Sequence, residues 1–585
     1  MAKGFLPTTW NEGTEYYKKF SGFDIIFISG DPYYDHPLNG VSIIARLLDA
    51  KGYKVAIIAQ PLKDDDYKAC GKARSFFCIS SGLLDSMLAN YTPMLHKREN
   101  VLVPERALMV YTQKIKEAYK GCMTVLGGVE ATLRRFTHFD YRTNELRRGI
   151  LNDTKADILI FGNGDRSILT LLERMKKAEK KEKETDFEKV RDTLDLKSVN
   201  GIAFRIKKEE IDPNIRMLPS YEDCIKVKMK LNLLTRMHYL LPENSFIEPC
   251  GLGFIQHNRA SHTLQEKELD LVYELPFTRQ LHSKTKNIEF QQDMLGKLDS
   301  SVVIGRGCWG SCTFCVIPLV QGKEVAKRSK ESILKEIELL YAQGKSTIND
   351  LTLATLNMYG SYCTLYDSPE QIYSPLIEQE ITVYNKTKYC NQQCVGCQYR
   401  KVSTDLVPIL EGVEKLQIKY KGRRLELRSA IRHDIILEQK DMFRKMMKFI
   451  TRLKIAPEHI SKEVLQQMNK SNPEAFKEFL TFYKQVNKEQ KSKKHLVPYF
   501  IAAHPGTTRK DMEILKQFCK EEDIYVNLTQ VFTPTPGTIS TAMYYTEENP
   551  LTRKKVYVPR TFREKKDQKN ILLDDDSEDF SDGSG

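Results

Sequence analysis

Short β-branched segments alternate with helical segments through the first 220 residues of the chain. The predicted strands of this part are Asp24–Gly30, Lys54–Gln60, Ser75–Ser81, Met123–Gly128, Ala156–Gly162 and Asn200–Arg205. Because a helix between two strands returns the chain so that they lie in parallel, this alternation predicts an α/β fold whose parallel sheet is covered by helices on both faces. A doubly wound domain over residues 1–220 fits the pattern best.

A second alternating series begins at residue 300, after a connector at 221–299 that shows no clear period. Its predicted strands are Ser301–Arg306, Ser346–Ala354, Leu425–Arg432, Arg452–Ala456, Leu496–Ala502 and Tyr525–Phe532. About six β/α units predict a partial (β/α)6 barrel of the TIM type over residues 300–550, with the active site at the carboxyl ends of its strands. Residues 551–585 form a tail, and its acidic end, Asp574–Gly585, is predicted to be disordered.

Composition narrows the class of protein. No apolar stretch approaches the roughly 18 residues that span a bilayer, and the first residues lack the apolar core of a secretory signal, so we expect a cytoplasmic protein with no membrane partner. The thirteen cysteines are an odd number in a chain without such a signal, which argues against a disulfide framework. The net charge of +13 is compatible with an anionic partner and leaves RNA or a peptide open as the substrate.

Three cysteines lie close together after the first predicted barrel strand, in the sequence SVVIGRGCWGSCTFCVI. Thiolates at the spacing of Cys308, Cys312 and Cys315 on a turning loop can converge on one metal centre. A 4Fe-4S cluster normally takes four protein ligands, so three leave one iron open for a cofactor or a substrate. A structural zinc site completed by a distant Cys or His is the alternative, but zinc sites usually take ligands in C-x2-C pairs. The spacing therefore favours an iron–sulfur cluster.

With Phe314 before its last cysteine, this C-x3-C-x2-C motif resembles that of the radical SAM superfamily. Further segments resemble the YgiQ-like group of the superfamily, namely GDPYYDHPLNGVSIIARLL, GGVEATLRRFTHFDY, ADILIFGNGDRSI, RSKESILKEI, NMYG, KIAPEHIS, VPYFIAAHPGTT and FTPTPGTISTAMYYT. The resemblance runs from about residue 30 to residue 546. It implies an enzyme whose 4Fe-4S cluster binds S-adenosylmethionine (SAM) and, once reduced, cleaves it to a 5′-deoxyadenosyl radical. It also implies an electron donor of the flavodoxin or ferredoxin type.

Further candidates follow the ends of the predicted barrel strands, where the cofactor is expected. The predicted cofactor-binding residues are Phe314, Asn357, Arg428, Arg432, His459 and His504. Arg428 and Arg432 alternate on one strand face and could reach the cofactor carboxylate. Salt bridges with Glu426 or Asp434 inside the barrel are the alternative. The two histidines could equally be buried polar residues without a site role.

Two segments depart from the patterns of related proteins. Radical SAM barrels carry a glycine-rich strand end that receives the amino group of SAM, and relatives have Gly-Gly-Pro where this chain has Thr352, Leu353 and Ala354. Either the backbone still presents its carbonyls there, or cofactor binding is weakened. The N-terminal domain resembles the cobalamin-binding type of α/β fold, but His36 lies in DHPLNG and not in the D-x-H-x-x-G spacing of a cobalt ligand. Cobalamin is therefore not expected, and His36 is predicted to be structural or to face the substrate.

A second C-x3-C-x2-C motif, Cys390, Cys394 and Cys397, interrupts the barrel between its second and third strands. Cys363 lies upstream as a fourth candidate ligand, within a cysteine-rich insert at about residues 360–400. Four thiolates would close a site completely, which suits an auxiliary 4Fe-4S cluster or a structural zinc ion. The sequence leaves both open.

Two functions fit these patterns. The first is an active radical SAM enzyme whose substrate the sequence does not identify. The second is a non-catalytic iron–sulfur or zinc scaffold that has lost SAM binding, which the residues at 352–354 would explain. The complete first cysteine motif favours the enzyme.

Overall fold

The computed structural model describes residues 4–182, 194–285, 288–387, 390, 394–526 and 529–573. Its N-terminal domain is built on one nine-stranded sheet. In spatial order, the strands are Val55–Ala59, Ile25–Ser29, Phe76–Ser80, Thr124–Leu126, Ile158–Ile160, Ile202–Ile206, Gly253–His257, Phe246–Cys250 and Arg216–Met217. The first five are parallel and follow the order 2-1-3-4-5 of flavodoxin-like folds, which confirms the predicted doubly wound sheet.

Helices cover both faces of this sheet. Along Ile25–Ser29, the second strand of the sheet, side chains alternate between two hydrophobic clusters, one on each face, and every residue of the strand is buried. Gly40–Ala50 and Asp165–Glu182 cover one face, and Ala107–Ala118 covers the other. The other helices of this half are Trp10–Tyr16, Ser86–Asn90, Gly128–Leu133, Ile150–Thr154, Tyr221–Lys226, Met229–Leu240, Glu266–Tyr273 and Ile288–Gly296. A small separate hairpin joins His138–Asp140 to Glu145–Arg147.

Part of the segment predicted as a connector belongs to this sheet. Phe246–Cys250 and Gly253–His257 form an antiparallel hairpin, and the second of them pairs with Ile202–Ile206. Pro249 and the charged Glu248 interrupt the apolar pattern of the hairpin, so its strands resemble a loop in the sequence. The connector therefore adds strands to the N-terminal sheet.

The second half forms an open β/α barrel. Its strands are Val302–Val303, Gly305–Arg306, Thr347–Ile348, Leu351–Thr352, Arg424–Leu425, Arg452–Glu458, His495–Ala502 and Thr529–Val531. Parallel pairings and one parallel bridge, Ile431 with Ile455, join neighbouring units. Within the described part of the chain, no pairing joins the first unit to the last. This is the partial barrel that the sequence predicts.

Helices flank the barrel strands, and local sequence explains where they begin. Pro473–Glu489 begins after Asn472, whose side chain accepts a hydrogen bond from the backbone N–H of Ala475 at 3.1 Å, and proline suits the first helical position. Its apolar side chains recur every three or four residues and pack into the barrel core. The other helices are Ile317–Val320, Lys330–Ala342, Leu406–Lys419, His433–Ile436, Lys440–Met446, Lys462–Met468, Arg509–Glu521, Ile539–Thr546 and Phe562–Leu572.

The cysteine-rich insert joins the two domains. It contains the hairpin Tyr366–Ser374 and Gln379–Lys386, and a short strand pair, Tyr362–Cys363 with Arg400–Lys401. Arg259 of the N-terminal domain donates from Nη2 to the carboxylate of Glu370 at 2.7 Å. Leu376, at the tip of the hairpin, is buried in the core of the N-terminal domain.

The C-terminal helix Phe562–Leu572 packs against the last barrel units. Gln568 accepts a hydrogen bond from the N–H of Ala503 at 2.8 Å and donates one to the carbonyl of Thr507 at 2.9 Å. The acidic end predicted to be disordered, 574–585, lies outside the described residues. Among the helices that are described, none has the length and apolar character to cross a membrane.

Candidate metal centre and cofactor site

The loop after the first barrel strand carries three thiols, here called the first cysteine set: Cys308, Cys312 and Cys315. Gly307 begins this loop with a φ of +92°, and a Cβ at this position would lie 1.9 Å from the backbone oxygen of Glu324. The N–H of Cys308 donates to the carbonyl of Gly322 at 3.2 Å. Residues 322–324 thus hold the start of the loop so closely that only glycine fits at position 307.

The three thiols of the first cysteine set share one neighbourhood. Burial raises the pKa of Cys308 and that of Cys315, and the charge of Cys312 raises both further, an effect that acts over short distances. No three His, Cys, Asp or Glu side chains of the described residues converge closely enough to hold a single metal ion. Three thiolates on one loop are the donor set that a 4Fe-4S cluster with one open iron takes.

A second glycine lets the loop approach the barrel interior. A Cβ on Gly310 would lie 2.9 Å from Nη1 of Arg432 and 3.4 Å from Sγ of Cys308. Sγ of Cys308 also lies 3.7 Å from Oγ1 of Thr355 and 3.7 Å from Sδ of Met358. Thr355 and Met358 follow the second barrel strand, and sequence reasoning missed both because nothing in their spacing marks them.

Two buried cations face the first cysteine set. Nη1 of Arg432 lies 3.8 Å from Sγ of Cys312, while Nε of the same arginine donates to Asp434 at 2.9 Å. Although burial lowers the pKa of Lys470, the nearby thiolate of Cys312 raises it, and the pKa ends above its ordinary value. Positive charge at this position offsets the negative charge that three thiolates bring into a buried site. Lys470 had no sequence signal, because it follows a helix and no motif.

Asn357, one of the predicted cofactor-binding residues, is buried at the end of the second strand. Its Nδ2 donates to the carbonyl of Arg432 and to Oε1 of Gln439, both at 3.1 Å. Its Oδ1 accepts from the N–H of Arg432 at 2.9 Å. Asn357 therefore positions Arg432 beside the thiol of Cys312.

The two predicted histidines differ in the hydrogen-bond partners of their ring nitrogens. His504 is fully buried, and its ring nitrogens lie 2.7 Å from Oγ of Ser540 and 2.8 Å from the carbonyl of Pro505. Nδ1 of His459 accepts from the N–H groups of Ile460 and Ser461, both at 2.9 Å. Nε2 of His459 is then the protonated nitrogen, and it is buried with no hydrogen-bond partner among the described residues. Burial lowers the pKa of His459 to about 4, so this ring is neutral and can donate from Nε2.

Phe314 and Arg428 lie at the margins of the site. The ring centroids of Phe314 and His504 are 6.0 Å apart in an edge-on arrangement. The side chain of Arg428 is 43% exposed and forms a salt bridge with Glu426, which is one of the alternatives that the sequence left open. Arg432 forms the corresponding salt bridge with Asp434 and still reaches Cys312. Of the two arginines, Arg432 is thus the one that the fold brings to the first cysteine set.

The strand end at 352–354, where the family resemblance leads us to expect glycine, is filled by side chains. The carbonyl of Thr352 accepts from the N–H of Ile304 at 3.1 Å, so it takes part in the pairing of the first two barrel units. Leu353 is 4% exposed, and its Cδ1 would lie 3.2 Å from a Cβ on Gly305. Residues 352–354 border a cavity between the two domains.

The second cysteine set lies in the insert: Cys363, Cys390, Cys394 and Cys397. Nη2 of Arg400 donates to Sγ of Cys394 at 3.3 Å. Burial lowers the pKa of Arg400, but the charges of Glu324, Cys394 and Cys363 raise it above its ordinary value. Burial lowers the pKa of Lys323 to about 7, while the charges of Cys394 and Cys390 raise it. Arg400 and Lys323 thus both lie near thiols of the second cysteine set.

The two cysteine sets are neighbours. Tyr239 donates from its hydroxyl to the carbonyl of Ser311 at 2.9 Å, and burial together with Cys312, Cys315 and Cys394 raises its pKa. The guanidinium of Arg400 lies 5.1 Å from the ring centroid of Trp309, the residue after Cys308. Tyr239 and Trp309 thus lie between the sets, a proximity that residues about 80 positions apart could not reveal in the sequence.

His36 is engaged on both ring nitrogens. Nδ1 accepts from the N–H of Leu38 at 3.1 Å, and Nε2 lies 3.2 Å from the carbonyl oxygen of Asp299 and 3.2 Å from Nη1 of Arg279. The ring is fully buried and stacks on Tyr34. Of the two roles predicted for His36, this environment fits the structural one.

Comparison with known families gives two matches along the chain. The family described as radical SAM N-terminal matches residues 5–293. A domain of unknown function, DUF3362, matches residues 527–581. The first match covers the doubly wound domain together with most of the connector, and the second covers the last barrel strand and the C-terminal helix.

Similar proteins extend over almost the whole chain. A UPF0313 protein of Methanocaldococcus jannaschii is 36% identical, with the alignment covering 97% of this chain and 92% of that protein. A UPF0313 protein of Geobacter sulfurreducens is 34% identical over 97% of this chain and 92% of that protein. Among solved structures, the radical SAM methyltransferase TsrM from Kitasatospora setae, with cobalamin and a [4Fe-4S] cluster bound, aligns with a TM-score of 0.49 at 12% identity over 94% of this chain and 82% of that chain.

Proposed function

Because the chain belongs to the UPF0313 family, a YgiQ-like group of the radical SAM superfamily, we propose that it is a radical SAM enzyme whose 4Fe-4S cluster is held by Cys308, Cys312 and Cys315. When bound, such a cluster supplies the single electron that cleaves SAM reductively to a 5′-deoxyadenosyl radical. The electron would come from a donor of the flavodoxin or ferredoxin type. We also propose that the enzyme works in the cytoplasm.

One observation carries this proposal. Three interacting thiols lie on a glycine-bounded loop at the carboxyl end of the first barrel strand, and Arg432 lies 3.8 Å from the central thiol. This is the end of a β/α barrel at which active sites are built. In this proposal the loop binds the cluster through its thiols, and Arg432 and Lys470 offset the negative charge of the thiolates. Asn357 keeps Arg432 in place.

We assign a direct role toward SAM to Arg432 and His459. Arg432 is cationic and adjoins the first cysteine set, and His459 keeps a buried N–H without a partner among the described residues. A buried donor that lacks an acceptor costs free energy, which an acceptor atom on a bound cofactor would recover. Cofactor contacts by Phe314, Arg428 and His504 remain predictions. Cobalamin is left out of the proposal, because both ring nitrogens of His36 are already engaged.

The alternative is a scaffold that holds a cluster without binding SAM. Leu353, buried where the family resemblance leads us to expect glycine, is the observation that favours it. The two functions differ in one reaction, because only the enzyme converts SAM to 5′-deoxyadenosine and methionine.

That reaction is the test of the proposal. The protein is reconstituted with iron and sulfide without oxygen, reduced and mixed with SAM, and 5′-deoxyadenosine is measured by chromatography. We expect product from the wild-type protein and none from a variant in which all three cysteines of the first set are alanine. A wild-type protein that carries a full cluster and yields no product would reject the enzyme in favour of the scaffold.

We further propose that the second cysteine set holds an auxiliary metal centre. Cys394→Ala should then lose the metal of this centre and keep that of the first set, because the two sets have separate ligands. Metal analysis by mass spectrometry would identify the missing element as iron or as zinc, the choice that the sequence left open. Cys250→Ala, which changes a half-buried cysteine outside both sets, is the matched control. Equal metal contents in the two variants would rule out a second centre.

A further inference from the structure

A cavity of about 310 Å³ lies between the two domains. On one side are the carboxyl ends of the parallel strands Ile25–Ser29 and Phe76–Ser80, between which the strand order reverses. Doubly wound sheets bind their ligands in the crevice at this reversal point. On the other side are barrel residues at 303–306 and 352–354. The volume falls in the range of pockets that bury one small ligand.

The walls of this interdomain cavity are mainly apolar. Its branched aliphatic side chains come from both domains and include Ile43, Ile44, Ile160, Ile168, Val303 and Leu353. An occupant must therefore offer apolar faces, because a strongly charged group would lose its hydration without compensation.

One part of the cavity wall is polar and incompletely paired. Nη1 of Arg306 donates to Oδ2 of Asp165 at 2.8 Å, and its Nε donates to the hydroxyl of Tyr273 at 2.8 Å. Nη2 of Arg306 and Oδ1 of Asp165 have no partner among the described residues, although the side chains are only 10% and 2% exposed. An unused donor and an unused acceptor thus belong to one salt bridge at the cavity wall.

The salt bridge also limits the charge of an occupant. Because Arg306 and Asp165 neutralise each other, a neutral edge with an acceptor and a donor side by side matches the two free atoms. A separate ammonium and carboxylate would each need to be desolvated. Asp31 lines the cavity as well, and burial raises the pKa of its carboxyl to about 7, so this wall carries little charge below neutral pH.

The cavity adjoins the first cysteine set. Arg306 precedes Cys308 by two residues, and Ala354 precedes Thr355, whose Oγ1 lies 3.7 Å from Sγ of Cys308. A molecule in the cavity would lie next to the loop that holds the cluster.

We infer that this cavity binds a nucleobase, with its donor–acceptor edge on Arg306 and Asp165, as the substrate of the radical chemistry. The inference rests on the proposed function. A nucleobase has flat apolar faces and carries donors and acceptors side by side on its edges. It could enter as a free nucleoside, or as a base extruded from RNA.

A basic groove near the cavity is relevant to RNA as the source of the base. It has a volume of about 880 Å³ and adjoins the helix Asp165–Glu182. Its cationic side chains include Arg174, Lys176, Lys177 and Lys197. Arg166 and Arg259 line it too, but they pair with Glu268 and Glu370. Cations in such a groove suit a phosphate backbone whose base lies in the cavity.

The test uses the reconstituted protein with saturating SAM, so that a nucleoside cannot bind in the cofactor site. Binding of labelled guanosine, cytidine and uridine, and of a mixed-sequence single-stranded RNA, is measured by equilibrium dialysis. Ile44→Trp fills the cavity from the N-terminal domain, and Ile418→Trp makes the same change at a position that is 76% exposed on another helix. We expect binding to weaken by roughly tenfold or more in Ile44→Trp alone.

The possible results of this test distinguish failure of the inference from failure of the proposed function. Weakened nucleoside binding identifies a free nucleoside as the ligand of the cavity, and weakened binding of RNA alone identifies a base within a polynucleotide as that ligand. If no probe binds, or if both variants bind equally, the inference fails even when the wild-type protein cleaves SAM. Absence of SAM cleavage by the wild-type protein would instead reject the proposed function.

A second variant distinguishes a changed binding site from a misfolded protein. Asp165→Asn keeps the size of the side chain but exchanges part of its acceptor capacity for a donor. Its preference among the three nucleosides, or among RNA homopolymers, should shift by about tenfold. A uniform loss of binding without a change of preference would contradict the assigned role of Asp165.

Discussion

Cys312→Ala is expected to abolish the formation of 5′-deoxyadenosine and to remove the iron of one cluster. Cys312 is the central ligand of the first cysteine set, and its charge acts on both Cys308 and Cys315. Without it the loop supplies only two thiolates, too few to hold a 4Fe-4S cluster with one open iron. Iron and sulfide content, the visible absorption of the cluster and SAM cleavage are measured on the same anaerobic preparation.

Cys250→Ala is the control for this prediction. Cys250 ends a strand of the N-terminal sheet, and we expect its variant to retain iron content and cleavage. A Cys312→Ala protein that keeps its full iron content would overturn the assignment of the first cysteine set. Loss of iron from both variants would point to general instability and also remove the support for that assignment.

Gly307→Ala is expected to lower the iron content and SAM cleavage nearly as much as Cys312→Ala, although it changes no cysteine of the first set. At a φ of +92° an alanine is strained by at least about 1 kcal/mol, and its Cβ would lie 1.9 Å from the backbone oxygen of Glu324. Backbone cannot move aside as a flexible side chain can, so residues 322–324 or the cysteine loop must shift. We expect a lower thermal midpoint of unfolding and loss of most of the cluster.

The matched control is Gly253→Ala. An added methyl there would meet only the carbonyl oxygen of Cys250, at 3.9 Å, which is ordinary contact. This variant should unfold near the wild-type midpoint and bind a full cluster. If Gly307→Ala behaves in the same way, the close support of the loop by residues 322–324 does not exist in solution.

Much of the fold could be predicted because its information is local. Apart from Ser29, every position of Ile25–Ser29 and Val55–Ala59 is apolar, as expected of strands buried on both faces, and a helix separates the two strands in the chain. The hairpin at 246–257 escaped prediction, since Pro249 and Glu248 interrupt its apolar pattern. Its strands are stabilised by pairing with Ile202–Ile206, a partner that no local pattern reveals.

The candidate site likewise has residues that local sequence predicts and residues that only packing brings together. Cys308, Cys312 and Cys315 lie within eight consecutive residues, so their spacing alone indicated a shared centre. Arg432 was a candidate from its position at a strand end, but the sequence could not separate a salt bridge from a contact with the cluster loop, and the structure contains both. Lys470 and Met358 reach this loop only through packing between separate units of the barrel.

The sequence by itself thus determined the two β/α series, the family and the first cysteine set, because periodicity and ligand spacing are properties of short segments. Only the tertiary structure decided what the two domains form together. Arg306 and Asp165 are 141 residues apart, and their salt bridge exists because the barrel docks onto the carboxyl ends of the N-terminal sheet. The cavity between the domains, its unpaired donor and acceptor, and its position beside the cysteine loop follow from that docking, which depends on contacts between distant segments and leaves no local pattern in the chain.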